Sequence, residues 1–125
     1  MGICKEKHGT KYVECKEGVV YRIPLTCGRV YLGQTGRCIN DRLREHALAV
    51  RSSPSGNLAI HCNRCDCGPK LQETVILSRN RNKMTREISE AFFIRKCDGD
   101  TCISAPSIAL YDSEVAYLQS FGSSS

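Results

Sequence analysis

Five side chains able to take part in phosphoryl chemistry are spaced so that short elements could bring them together. Tyr21 and Tyr31 stand ten residues apart, each inside a short β-favouring run. Arg42 and His46 follow, four residues apart, a spacing that places both toward one side of a helix. Glu90 opens the run Glu-Ala-Phe-Phe-Ile at 90–94, where a carboxylate is flanked by apolar residues. A carboxylate holds a hard cation such as Mg²⁺ through oxygen, and an arginine neutralises a phosphate oxygen as charge builds in the transition state. A tyrosine or histidine beside them can take the proton of an attacking water. These are the parts for phosphodiester hydrolysis. Singly, each has a plainer reading: strand tyrosines cover sheet faces, a histidine in an apolar arc is hydrogen-bonded structure, and Arg42 pairs with Glu45 or Glu90. The chemical reading rests on the combination in this order.

A second constellation is made of sulfur and imidazole. The chain has nine cysteines, an odd number, and His61, Cys62, Cys65 and Cys67 fall within seven residues, which argues for a metal rather than disulfides. Zinc takes four such ligands, and neighbours one residue apart do not all reach one tetrahedral ion, so a remote ligand is expected. The preferred set is Cys27, His61, Cys65 and Cys67, with Cys62 as substitute, holding a structural Zn²⁺. Cys4, Cys15, Cys38, Cys97 and Cys102 read as reduced thiols.

The elements that must position these residues can be read in order. Residues 1–17 mix lysines and glutamates without period and form a lead-in. Val19 to Ile23 and Arg29 to Leu32 read as strands of a hairpin, which Gly33-Gln34-Thr35-Gly36 breaks. Asn40 or Asp41 can cap a helix reaching about Arg51, with Ile39, Leu43, His46, Ala47 and Val50 on its inner arc. Residues 52–56 are a flexible loop by composition, Leu71 to Leu77 a third strand and Ser78 to Lys83 a basic loop. A second helix capped by Thr85 spans 85–96, with Ile88, Ala91 and Phe92 on one arc and Glu90 off it. Ile103 to Leu110 is extended, a last short helix opens at Asp112, and 121–125 is a disordered tail. The expected architecture is a single α+β domain over 18–120, with a small three-stranded antiparallel sheet flanked by helices and a zinc-stapled loop.

Eighteen Lys and Arg against thirteen Asp and Glu give a net charge of +5, which favours polyanionic partners. The cations gather at Arg37, Arg42, Arg44 and Arg51 and again at Arg79, Arg81, Lys83 and Arg86. That pattern suits phosphate contacts, with Arg37, Arg42, Arg79, Arg81, Lys83 and Arg86 as candidates. No apolar run is long enough to span a membrane and no signal peptide is visible, so an intracellular location, nuclear or cytoplasmic, is expected rather than secretion.

Val-Val-Tyr at 19–21, Tyr-Leu-Gly at 31–33, then Arg42-Leu43 and His46, with Glu90 in its helix, resemble the GIY-YIG nuclease superfamily over about residues 18–120. More narrowly, Tyr-Leu-Gly-Gln-Thr-Gly-Arg, the Cys/His cluster and Arg-Glu-Ile-Ser-Glu-Ala-Phe-Phe-Ile are similar to endonuclease domains of Penelope-like retroelements, of the type in tick transposons. The resemblance implies a DNA endonuclease that nicks target sites, with a reverse transcriptase of the same polyprotein as partner. It implies Tyr21 as general base, Tyr31 and His46 as its assistants or as positioners of the water, Arg42 on the phosphate, and Glu90 on Mg²⁺ or Mn²⁺. The first motif departs from Gly-Ile-Tyr but keeps the hydroxyl. Ser104 stands where family members often have a phosphate-site asparagine, and it can donate one hydrogen bond there. The rival readings are a zinc-stapled nucleic-acid-binding module of the same fold that does not cut, and a zinc-dependent interaction domain.

Overall fold

The central strand is the most deeply buried strand among the described residues. In the computed structural model, which describes residues 11–52, 56–97 and 101–104, strand β1 (Glu17–Pro24) buries Val19, Val20, Tyr21 and Ile23 completely. Burial of successive residues means both faces of β1 are covered, which puts it in the middle of the sheet. β2 (Val30–Cys38) and β3 (Val75–Arg79) pair with it antiparallel in the order β2-β1-β3. Helices α1 (Ile39–Ser52), α2 (Gly56–Cys65) and α3 (Lys83–Lys96) complete an α+β fold among the described residues. None of these helices is long and apolar enough to cross a membrane.

Several elements differ from the sequence expectation, each for a local reason. β2 does not break at Gly33 but runs on to Cys38. Gly33 pairs with Tyr21, and a Cβ there would lie 2.6 Å from the tyrosine oxygen, so this glycine marks a close approach and not a turn. The third strand begins later than expected: Leu71–Glu73 form a single 3-10 turn, and the Thr74 hydroxyl donates to the Leu71 carbonyl at 2.7 Å. Ser78 and Arg79, expected in a loop, pair with Val20 and Val19. α3 starts two residues before the expected Thr85, and its cap is Asn82, whose side chain accepts the Thr85 N–H at 2.9 Å. α2 was not foreseen. Its buried Leu58, Ala59 and Cys62 carry a helical period that the ligand-type residues between them disguise.

Tyr21, Ile23 and Val19 of β1 form one core with Ile39 and Leu43 of α1, Leu58 and Cys62 of α2, and Leu71. Each fully buried apolar side chain contributes about 1.5–3 kcal/mol. Strand alternation puts Val20 and Gln34 on the opposite face, where Arg86 of α3 donates to the Gln34 side chain.

Asn40, expected as a cap, instead sits wholly buried in the first turn of α1 and holds the chain that precedes the sheet. Its carbonyl oxygen accepts the N–H groups of Tyr12 at 2.8 Å and Val13 at 3.2 Å, and its amide donates to the Val13 carbonyl at 2.8 Å. The Ile39 N–H donates to the Lys16 carbonyl at 2.8 Å. Part of the expected lead-in is thereby fixed against α1. The expected helix at Asp112 and the tail 121–125 lie outside the described residues.

Candidate active site and metal centre

β1, β2 and α1 bring Tyr21, Tyr31, Arg42 and His46 together. The Tyr21 hydroxyl lies 2.8 Å from His46 Nε2. The Tyr31 ring stands edge-on to His46 with centroids 5.2 Å apart, and the two tyrosine rings are 6.5 Å apart. The hairpin register produces this: Tyr21 opposes Gly33 and Ile23 opposes Tyr31, so both tyrosines share the face that α1 covers. His46 is on the buried arc of α1, as its spacing predicted.

The electrostatics of this cluster are strongly perturbed. Burial, then the neighbouring Tyr31, raise the Tyr21 pKa well above the tyrosine range, with Glu90 adding to the rise and Arg42 opposing it. Burial also raises that of Tyr31, again opposed by Arg42 and reinforced by Glu90. Burial and the nearby Arg42 charge pull His46 down to about 4, so it is neutral at pH 7. Burial works against the Arg42 cation, but Tyr21 and Glu45 outweigh it and hold its pKa above the usual arginine value. Glu90, on α3, is 5% exposed and close enough for its charge to act on both tyrosines. Its burial with Arg86, one turn earlier, places the polar pair inward along with Ala91 and Phe92.

Glu45 is a residue that the sequence reading named only as an alternative partner for Arg42. Its carboxylate accepts from Arg37 Nη2 at 2.8 Å and Arg42 Nη1 at 3.0 Å, and those two arginines hold its pKa down to about 2. It therefore ties an exposed cation to one at the edge of the tyrosine cluster. The i, i+3 spacing to Arg42 was the available signal.

The Cys/His group assembles from two distant parts of the chain. The ligand atoms of Cys27, His61, Cys65 and Cys67 lie within 4.8 Å of one another. Tetrahedral bonds of about 2.3 Å would place sulfurs roughly 3.8 Å apart, so modest contraction closes the set on one ion. The Cys27 sulfur is 3.5 Å from His61 Nε2, and hydrogen bonds from His61 and the backbone lower its thiol to about 6. Cys27 is presented by the β1–β2 turn, which needs glycine because Gly28 has φ 91. Cys62, the substitute ligand, turns the other way and is buried in the core at 2% exposure. The four residues could hold a metal ion, and the donor chemistry is compatible with structural zinc.

The candidate phosphate contacts divide. Arg79 and Arg81 are exposed, and Lys83 pairs with Glu87 at 3.7 Å. Arg86 departs from the expected exposed cation: it is 7% exposed, with Nε donating to Gln34 and Nη1 to two backbone carbonyls. Ser104 also departs from expectation. Its hydroxyl accepts the Leu32 N–H at 2.6 Å and donates to the Leu32 carbonyl at 2.7 Å, so its one proton serves the β2 backbone and not a phosphate. Comparison of the chain with protein-family models, with curated proteins and with solved structures found no match.

Proposed function

We infer that this chain is a divalent-metal-dependent endonuclease domain of the GIY-YIG type, hydrolysing phosphodiester bonds in DNA and serving target-site nicking for a retroelement. In that setting a reverse transcriptase domain of the same polyprotein is its partner. The observation that carries the reading is the Tyr21 hydroxyl 2.8 Å from a neutral histidine, with Arg42 and Glu90 acting on the same tyrosines. A tyrosine with a raised pKa keeps its proton at pH 7 and serves as a base only if it can pass that proton on. His46 is the acceptor: it is neutral, and Nε2 faces the hydroxyl. Tyr21 would take a proton from the attacking water as it gives its own to His46, so no tyrosinate accumulates; water must first reach a hydroxyl that is fully buried in this fold. Tyr31, partly exposed and edge-on to His46, positions the water, and Arg42 meets the charge that develops on the phosphate. Glu90 would hold Mg²⁺ or Mn²⁺, which supplies Lewis-acid charge on the phosphate. One carboxylate fits such an ion, since Mg²⁺ is often held by one or two carboxylates with substrate phosphates and water. The Cys27, His61, Cys65 and Cys67 group holds structural zinc.

A second reading has its own support. Tyr21 is fully buried, as a purely structural core tyrosine would be, which favours a zinc-stapled module that binds nucleic acid without cutting it. Supercoiled plasmid separates the two. Nicking that requires Mg²⁺, stops on chelation and falls a hundredfold or more in Glu90→Gln of unchanged melting temperature is the expected result. A parent protein that binds the plasmid but leaves it intact with Mg²⁺ or Mn²⁺ would leave the binding module.

A further inference from the structure

Arg86 is a buried arginine held by three hydrogen bonds. It is 7% exposed; Nε donates to the Gln34 side chain at 3.0 Å, and Nη1 donates to the carbonyls of Asn80 at 2.9 Å and Arg81 at 2.7 Å. These bonds fix the guanidinium plane between β2 and the turn before α3. No bond from Nη2 to another described residue accompanies these three, and no buried side-chain nitrogen or oxygen among the described residues lacks a partner, so Nη2 keeps some contact with solvent. Beside it stands Gly36, which is exposed. A Cβ there would lie 2.8 Å from Nη2, so the edge of the guanidinium fills the space a side chain would take. Gly36 is not in the left-handed region, and close approach is what calls for glycine at this position.

We propose that Arg86 Nη2, at the exposed Gly36 and beside the Arg81 backbone, is a binding subsite for a backbone phosphate of a polynucleotide. A guanidinium already fixed by three bonds gives up little conformational freedom when it takes a fourth, and its charge is poorly screened by water. A phosphate oxygen supplies an acceptor that no described residue provides to Nη2. The occupant is a polynucleotide because the exposed cations Arg79 and Arg81 lie in the same β3–α3 segment, suiting a repeated monoanion. Acidic peptide is the alternative that the test must exclude. The subsite rests on the polynucleotide reading above and deepens it.

The test is fluorescence anisotropy with a labelled DNA duplex, without added Mg²⁺, over a range of KCl concentrations. Gly36→Ala keeps every charge but sets a methyl 2.8 Å from Nη2, which must move away from that position; affinity is expected to fall about tenfold, as for loss of a hydrogen bond to a charged group, and the salt slope to become shallower by about one phosphate. Parental affinity and slope in a folded Gly36→Ala protein would overturn the proposal, as would polyglutamate displacing the duplex at equal charge concentration. A measurement on unaltered protein needs no variant: the Arg86 Nε–H resonance should shift on duplex titration, and its constancy at saturating duplex would overturn the subsite. Binding that shows these losses in a protein that never nicks would sustain the subsite while removing the nuclease reading.

Discussion

His46 is buried as a neutral imidazole and therefore makes stability depend on pH. Its pKa is about 4 in the folded chain against an ordinary 6.5, so the unfolded chain takes up a proton more readily. The stabilisation is complete above pH 6.5 and is lost as pH falls toward 4, on the order of 3 kcal/mol in all. The contribution of Glu45 is lost in a separate window, below its ordinary 4.5 and toward 2. Thermal unfolding between pH 7.5 and 4.5 is expected to show a clear drop for the parent and a much smaller one for His46→Gln, which removes the titrating ring. Equal drops would mean that other groups carry the dependence. Gly33 offers a sharper steric test. An alanine Cβ would stand 2.6 Å from the Tyr21 oxygen, 2.7 Å from its Cζ and 3.1 Å from Tyr31. Both rings are constrained, so Gly33→Ala should cost about 1–3 kcal/mol by overpacking. A melting temperature equal to the parent would show that the tyrosines yield freely and that their packing does not define the site.

At the scale of elements, α2 joins the core to the Cys/His group. One side of it buries Leu58, Ala59 and Cys62, while His61 and Cys65 meet Cys27 from the hairpin turn. Metal bound there would tie the helix to a turn about thirty residues earlier, which is folding free energy for a small domain. Elemental analysis should find about one zinc per chain in parent protein. Cys65→Ser should lose the metal, whereas Cys62→Ser should keep it and destabilise the fold by about 1–3 kcal/mol, because it places a hydroxyl in the core. Fully folded protein without metal would contradict the zinc assignment, and equal metal loss in both variants would contradict the ligand set.

For the whole molecule, the net charge of +5 and the exposed cations predict DNA binding that weakens steeply with salt. Charge reversal at Arg79 and Arg81 should weaken binding across sequences without changing preference among them. Salt-independent affinity would argue for a different partner.

How much of this could be read in the chain alone follows from the range over which each signal acts. Alternating and continuous apolar runs marked β1 and its hairpin, and the 3.6 period of Ile39, Leu43 and His46 marked the inner arc of α1; both are local patterns set by residues that touch their neighbours in sequence. Ligand chemistry with its coordination demand singled out Cys27, His61, Cys65 and Cys67, the same four whose ligand atoms the structure groups. Glycine was ambiguous: Gly33 and Gly36 looked like a strand break, whereas they are points where Tyr21 and Arg86 come close to β2. Only three-dimensional contact distinguishes these uses. The same holds for Asn40, which has the chemistry of a cap but is turned to the Tyr12–Val13 backbone, and for Arg86, which composition counts as a surface cation. Ser104 is decided at still longer range, by a backbone partner seventy-two residues away. Residue type sets what a side chain can bond to; the tertiary fold decides which partner is near, because hydrogen bonds and steric exclusion act over a few ångströms of space and not along the chain.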